Sequence, residues 1–471
     1  MSRALALCAA ALLPPSAAQA HAFAQRYDLP LPLWHYVAGA GAAVAVSFLA
    51  AALFLRARRA LPQARVALAP QAARAAAVAL RAFGVGAFAL LLAAGLFGEQ
   101  GDWDSNILPV TVWIVWWVGL VFACAALGDL WALLDPWRTV GRSLERAIGK
   151  RAARDGGPCA WPAKLDAWPA VALFFAFAWC ELAWTENAMP QKLAALIIAY
   201  SALTWLGMAL FGVETWRAKA DPFARFFALF ARFAPLAVDN GKLVLRPFGA
   251  GLAQETPPSP AVCGFIILML ATVAFDGIAE TPLWDSIVGE AMRILYAGGV
   301  IQLIGYTSAA SLVKTLGLIA TPLLFAAAYL AICLPVARLA GDDVGRTARR
   351  YVLSLVPIAI GYHLAHYLSY LLLQGQMIWP LLSDPLNLGW NLFGGRGHQV
   401  DIAAVGMGFI WLFAVAAIVI GHVAAVALSH AEALREAPPH IAVRSQAPLM
   451  IFMVGYTMLS LWILSQPIVE T

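Results

Sequence analysis

The residues with the clearest capacity for chemistry lie inside an apolar stretch, in the segment GYHLAHYLSY from Gly361 to Tyr370. At about 100° per residue of an α-helix, its histidines, tyrosines and serine share an arc of about 160°. Polar side chains at membrane depth face the protein interior or a water-filled cavity and commonly mark functional sites. The pattern therefore predicts a helix whose polar face points into a bundle and whose leucine-rich side contacts lipid.

His363 and His366 are three residues apart, so both imidazoles lie on one side of a helix. Two imidazoles can bind a divalent metal ion, but a protein metal site usually needs a third ligand. We name His366, His363 and Tyr367 as candidate catalytic residues, and the two histidines also as candidate metal ligands. Hydrogen bonding between helices is the alternative role for all three side chains.

His422 is the nearest further histidine, in the segment VIGHVAAVALSH. His363 lies near the midplane of its predicted span, whereas His422 lies past the centre of the next, antiparallel span. With a rise of about 1.5 Å per residue over roughly seven residues, the axial offset is about 10 Å. The sequence therefore disfavours one metal shared by His363, His366 and His422.

A second group of polar residues falls at the predicted outer ends of spans and in outer loops. Histidines and carboxylates together can bind a divalent metal or perform acid–base chemistry. From this group we take Asp276, which ends an apolar span, and His21 as further candidate metal ligands. The whole group is His21, His35, Asp102, Asp104, Glu181, Asp276 and His398.

The N-terminus has the pattern of a secretory signal peptide over residues 1–20. Arg3 precedes a short apolar run, and small residues stand at Ala18 and Ala20. Cleavage after Ala20 would make His21 the N-terminal residue, whose amine and imidazole could chelate a metal such as copper(II). Cleavage after Ala22 satisfies the same small-residue rule and would remove His21.

The composition is that of a membrane protein. Of 471 residues, 62% are hydrophobic and 12% are charged, whereas soluble domains carry about 25% charged residues. Residues 21–471 are predicted to form a single all-α, polytopic transmembrane helical bundle of about ten spans, each near the roughly 20 residues that cross a bilayer. The predicted spans are 33–56, 76–97, 107–127, 167–187, 193–213, 260–276, 311–335, 351–373, 402–428 and 447–466.

The basic residues predict the orientation of these spans. A cleaved signal peptide places the mature N-terminus outside, and alternation then defines inner and outer loops. Counting Arg56, 24 of the 31 Lys and Arg residues lie in predicted inner loops and four in outer segments. This positive-inside distribution predicts an inner-membrane protein with both mature termini outside. It also accounts for the high pI, so the charge gives no indication of nucleic-acid binding.

Two predicted inner loops are long, at residues 128–166 and 214–259. The second contains DPFARFFALFARFAPL, in which phenylalanines recur at helical spacing beside arginines. Such a segment predicts an amphipathic helix on the inner membrane face. Packing of the same helix against the bundle is an equally good interpretation.

Several segments resemble bacterial membrane proteins known as fenitrothion hydrolases, which are similar to the membrane component of a two-part organophosphate hydrolase. The resemblance extends over almost the whole chain. Its segments are HAFAQRYDLPLPLW (21–34), GDLW (128–131), DPWR (135–138), AFDG with TPLW (274–284), AHYLS with QGQ (365–376), DPLNLGWNLFG (384–394) and GHVAAVALSHAEAL (421–434).

The resemblance implies hydrolysis of an apolar aryl phosphotriester with release of a nitrophenol, and a second membrane subunit as partner. Such a reaction commonly uses a divalent metal ion to activate water and stabilise charge on the phosphoryl oxygen. The phosphate-loop, dinucleotide-binding, HExxH and GxSxG motifs of soluble enzymes are absent from the sequence. A transporter or channel, and a scaffold that handles a metal for a partner, are the alternative functions.

Overall fold

The computed structural model describes residues 31–55, 64–65, 70–147, 157–239, 242–253 and 256–466. The predicted signal peptide and His21 lie outside the described residues. The described chain is built almost entirely from helices. The α-helices are α1 (Leu33–Phe54), α2 (Pro70–Phe97), α3 (Ile107–Val110), α4 (Leu120–Leu127), α5 (Trp131–Leu134), α6 (Pro136–Ala147), α7 (Trp168–Leu182), α8 (Pro190–Phe211), α9 (Val213–Lys219), α10 (Pro222–Ala231), α11 (Pro260–Ala279), α12 (Pro282–Ala297), α13 (Val300–Ile304), α14 (Tyr306–Ala340), α15 (Val344–Tyr351), α16 (Val356–Gln374), α17 (Ile378–Ser383), α18 (Met407–Glu436) and α19 (Pro439–Leu464).

Shorter elements connect these helices. Three strands form a small antiparallel sheet in the order β1, β3, β2. They are β1 (Ala64–Arg65), β2 (Leu236–Asp239) and β3 (Lys242–Leu245). The 3₁₀ turns are Trp103–Ser105, Ala163–Leu165, Ala250–Leu252, Val352–Leu355 and Gly375–Met377.

Nine helical segments of the described chain are long and apolar enough to cross a membrane. They coincide with nine of the predicted spans, so the prediction of an all-α, multi-pass transmembrane bundle is confirmed. The fourth predicted span, 167–187, forms α7, which has 15 residues. At about 1.5 Å per residue, α7 is shorter than the roughly 30 Å of a hydrocarbon core.

The helix that carries the two candidate histidines is central to the bundle. On α16, Tyr362, His363, His366 and Tyr367 are buried, as the helical projection predicts. The opposite side is only partly available to lipid, because Ala365 and Leu368 are buried whereas Leu364, Leu371 and Leu372 are partly exposed. Other spans therefore cover most of the helix.

A pair of glycines brings α16 close to α18. A Cβ atom on Gly361 would lie 2.5 Å from the carbonyl oxygen of Ala417, and one on Gly421 would lie 2.5 Å from that of Pro357. Small residues allow this approach of two backbones, which is a common way for membrane helices to pack. The contact fixes the depth and rotation of the polar face of α16.

One predicted span contains a long π-helical run, Thr111–Gly119, between α3 and α4. π-Helical turns are rare and are frequently found at functional sites. The run carries Trp113, Trp116 and Trp117. Trp117 stacks on Phe226 of α10, with 4.6 Å between ring centroids.

The phenylalanine-rich helix α10 packs inside the bundle and not on its surface. Phe226, Phe227 and Phe230 are fully buried, so the packing interpretation of the second inner loop is correct. Asp221 begins the helix, because its Oδ1 accepts hydrogen bonds from the backbone N–H groups of Phe223 and Ala224.

Ion pairs join the two long loops, and the pair of Asp135 and Arg217 is buried. Arg217 of α9 donates from Nε to Oδ2 of Asp135 at 3.0 Å, immediately before α6. Arg138 and Arg142 of α6 both bind Oε1 of Glu214. These ion pairs hold α6 against α9 and so support the aromatic helix that follows.

The carboxyl group of Asp221 makes stability depend on pH. Burial, reinforced by the nearby Asp135 carboxylate, raises its pKa from 3.8 to about 6. An acid whose pKa is raised on folding stabilises the protein while protonated, and this contribution is lost as pH rises from about 4 to about 6. We predict that Asp221→Asn, which keeps the capping oxygen, stabilises the protein at pH 8. The free energy of unfolding should rise by on the order of 3 kcal/mol, and the unfolding temperature should rise with it.

The measurement is thermal unfolding in detergent between pH 4 and pH 8. The gain should shrink toward zero at the acidic end, where the native carboxyl is neutral too. Asp285→Asn is the control, because Asp285 is exposed in the first turn of α12. An equal gain at every pH would contradict the assignment.

Candidate functional site

At the centre of the candidate site, a single carboxylate oxygen accepts hydrogen bonds from two side chains. Oδ2 of Asp276 accepts a hydrogen bond from the hydroxyl of Tyr367 at 2.6 Å. Nε2 of His366 lies 3.0 Å from the same oxygen and donates to it. We call Asp276, His366 and Tyr367 the carboxylate cluster. It joins α11 to α16 across 90 residues of sequence.

Local backbone features position the cluster. Asp276 lies in the last turn of α11, followed by Gly277. A Cβ atom on Gly277 would lie only 2.7 Å from the hydroxyl oxygen of Tyr362, so a glycine here lets α16 approach. His366 and Tyr367, adjacent on α16, then both reach the same carboxylate.

The carboxylate cluster is largely buried, with a small exposed fraction at Asp276. The side chain of His366 is 4% exposed and that of Asp276 is 15% exposed. Removal from water strengthens hydrogen bonds to an ionised group, because the surroundings screen the charge poorly. Asp276 thus keeps a small part of its side chain accessible from outside the bundle.

Other carboxylates lie near the cluster. Glu181 of α7 interacts electrostatically with Asp276, and Glu280 interacts with His366. Two acidic groups, Asp276 and Glu280, therefore act on the imidazole of His366, and Glu181 acts on Asp276.

His363 has a different environment from His366. Its side chain is fully buried, and neither ring nitrogen has a hydrogen-bond partner among the described residues. Aromatic rings surround it, with centroids of Tyr367, Phe122 and Trp117 at 4.7, 5.7 and 6.3 Å. The structure thus separates the two histidines of the i, i+3 pair, one bound to a carboxylate and one enclosed by rings.

Of the other sequence candidates, Glu181 lies near the cluster, whereas His422 and His35 have other neighbours. The Nδ1–H group of His422 donates to the carbonyl oxygen of Ile418 at 2.9 Å, and its ring lies beside Tyr456. His35 stacks on Trp34. Within the described residues, no group of three His, Cys, Asp or Glu side chains could hold a metal ion.

A large apolar groove adjoins the aromatic side chains around His363. Its volume is about 780 Å³, and α2, the π-helical run, α7 and α8 form most of its wall. Leu371, one helical turn beyond Tyr367 on α16, also lines it. Trp117 lies between the groove and His363, because its ring centroid is 4.6 Å from that of the groove residue Phe177 and 6.3 Å from that of His363.

Sequence reasoning found Asp276, His366 and Tyr367 but did not connect them as one cluster. It missed Glu280, the groove and the π-helical run. The density of tryptophan in TVWIVWW was an available signal for an aromatic wall. The groove itself had no sequence signal, since its wall comes from spans far apart in the chain.

The cluster has the chemistry of a general base. A carboxylate that accepts from an imidazole N–H fixes its tautomer and stabilises the imidazolium that forms on protonation. The tyrosine hydroxyl holds the carboxylate in place. For a divalent metal, Asp276 and His366 offer two ligands, which falls short of the three protein ligands of catalytic zinc sites.

Comparisons with protein-family models, with curated proteins and with solved structures find no match to this chain.

Because Oδ2 of Asp276 accepts two hydrogen bonds, removal of either donor should lower the stability of the protein. Tyr367→Phe removes one donor from a buried carboxylate, and we expect the free energy of unfolding to fall by about 1–2 kcal/mol. Denaturant unfolding in detergent measures it. Tyr306→Phe is the matched control, because that side chain is exposed. Equal stability of the two variants would contradict the hydrogen bond.

Proposed function

We propose that this chain is the membrane-embedded component of a hydrolase for apolar aryl phosphotriesters. The carboxylate cluster carries the proposal, because an imidazole oriented by a buried carboxylate can activate water. The resemblance to fenitrothion hydrolases supplies the substrate class. We further propose a bacterial inner-membrane location and a second membrane subunit as partner. We also propose that both mature termini lie outside, which requires the short helix α7 to cross the membrane with the nine long helices.

The proposed reaction assigns one role to each member of the cluster. His366 removes a proton from a water molecule. The oxygen of that water forms a bond to phosphorus, and the bond from phosphorus to the aryl oxygen breaks. The aryloxide leaves as a nitrophenolate. Asp276 stabilises the imidazolium, and the hydroxyl of Tyr367 orients the carboxylate.

A divalent metal ion, when bound, would polarise the phosphoryl oxygen and lower the pKa of a bound water. Asp276 and His366 fit two positions of such a site, and His363 faces aromatic rings instead. The proton transfer proposed here needs only the residues of the cluster.

The test is release of nitrophenolate from a dialkyl nitroaryl phosphotriester by the protein purified in nanodiscs with any subunit that accompanies it. General acid–base catalysis contributes about 10²–10⁴-fold, so we expect His366→Ala and Asp276→Asn to lower kcat by at least about 100-fold. His422→Ala is the matched control, since it removes another buried histidine away from the cluster.

Full activity of His366→Ala would refute the assignment of the base. Absence of hydrolysis by the native complex would refute the proposed function. Transport is the second candidate, because ionisable residues within spans also mark ion and proton pathways. Uptake of the phosphotriester by proteoliposomes without nitrophenolate release would favour it.

A further inference from the structure

We propose that the apolar groove binds the neutral aryl group of the substrate and that the substrate enters it sideways from the bilayer. The inference rests on the proposed function, since it assigns the groove to the same substrate. It adds the location of the aryl site, the route of entry and the selection for uncharged molecules.

The lining selects against charge. No Asp, Glu, Lys, Arg or His side chain of the described residues lines the groove. An ion would lose its hydration there without compensation, which costs on the order of several kcal/mol per charge. A neutral ester pays no such penalty, whereas an anionic hydrolysis product would be expelled.

The lining also favours aromatic ligands over acyl chains. Four tryptophans contribute to the wall, together with several phenylalanines and Tyr200. Aromatic rings prefer edge-to-face or offset contacts with other rings, worth about 0.5–1.5 kcal/mol beyond the burial of area. The tryptophans are Trp113, Trp116, Trp131 and Trp137.

The mouth of the groove opens at mid-span. Phe83 of α2, Leu203 of α8 and Val115 of the π-helical run line the groove and are 67%, 43% and 37% exposed. Each lies well inside an apolar segment long enough to cross a membrane. Lipid therefore contacts the mouth, and an apolar ester dissolved in the bilayer reaches it without crossing water.

The size of the groove fits one substrate molecule. Binding pockets for small molecules commonly measure about 300–1,000 Å³, and the groove measures about 780 Å³. Its inner wall includes Trp116, next to Trp117 at the ring of His363. Trp117 and His363 therefore connect the inner wall of the groove to the carboxylate cluster, because the ring of His363 lies 4.7 Å from that of Tyr367.

The test uses a variant whose larger side chain fills the groove, and it measures binding and turnover separately. Ala176 of α7 lines the groove, whereas Ala172, one turn earlier and also exposed, does not. We expect Ala176→Phe to raise KM for the phosphotriester about tenfold, which equals about 1.4 kcal/mol, with little change in kcat. Ala172→Phe should behave as the native protein.

Binding is read independently from quenching of tryptophan fluorescence by 4-nitroanisole, a neutral nitroarene, in nanodiscs. The native protein should show saturable quenching, which Ala176→Phe weakens about tenfold and Ala172→Phe leaves intact. If Ala176→Phe does not fold, Ala123→Phe fills the same groove from α4.

The outcomes separate the two proposals. Unchanged KM and quenching in both filling variants, with hydrolysis intact, would overturn the groove assignment alone. Saturable quenching sensitive to Ala176→Phe, without hydrolysis by the native complex, would overturn the proposed function and leave aryl binding standing. Quenching only by phospholipids with brominated acyl chains would show a lipid site and overturn the aryl assignment.

Discussion

The carboxylate of Asp276 is the constraint on which the site depends. A carboxylate among apolar helices is costly unless hydrogen-bond donors compensate for the lost water. His366 and Tyr367 supply two donors to one oxygen. They reach it because Gly277 lets α16 approach α11 and because the Gly361–Gly421 contact holds α16 against α18. The same packing that compensates the charge also orients the imidazole, so stability and the proposed chemistry share one set of contacts.

Aromatic side chains form the second organising feature, between the carboxylate cluster and the groove. The buried helix α10 and the π-helical run meet through Trp117 and Phe226. This layer surrounds His363 and keeps it apart from the carboxylate bound by His366. The ion pairs of Asp135 and Arg217 support α10 from the loop side. A polar site and an apolar groove thus lie close together, and the aromatic layer separates the carboxylate from the lipid that reaches the groove.

The sequence was sufficient to predict the features that depend on the local order of apolar and polar residues. Runs of about 20 apolar residues predict spans, and helical projection correctly placed the polar face of α16 toward the interior. It could not predict that Leu368 is buried as well, because the number of neighbours around a span is set by tertiary packing. Nor could spacing reveal that Asp276 meets His366, since the two are 90 residues apart. The choice between a surface and a packed position for α10 also depended on the surrounding spans.

The most direct test of the account is a double-mutant cycle on kcat for phosphotriester hydrolysis, with Asp276→Asn, His366→Ala and the double variant. If the carboxylate acts through the imidazole, the double variant should be about as slow as His366→Ala alone, because groups that act as a unit are not additive. Losses that multiply in the double variant would show independent roles and contradict the account.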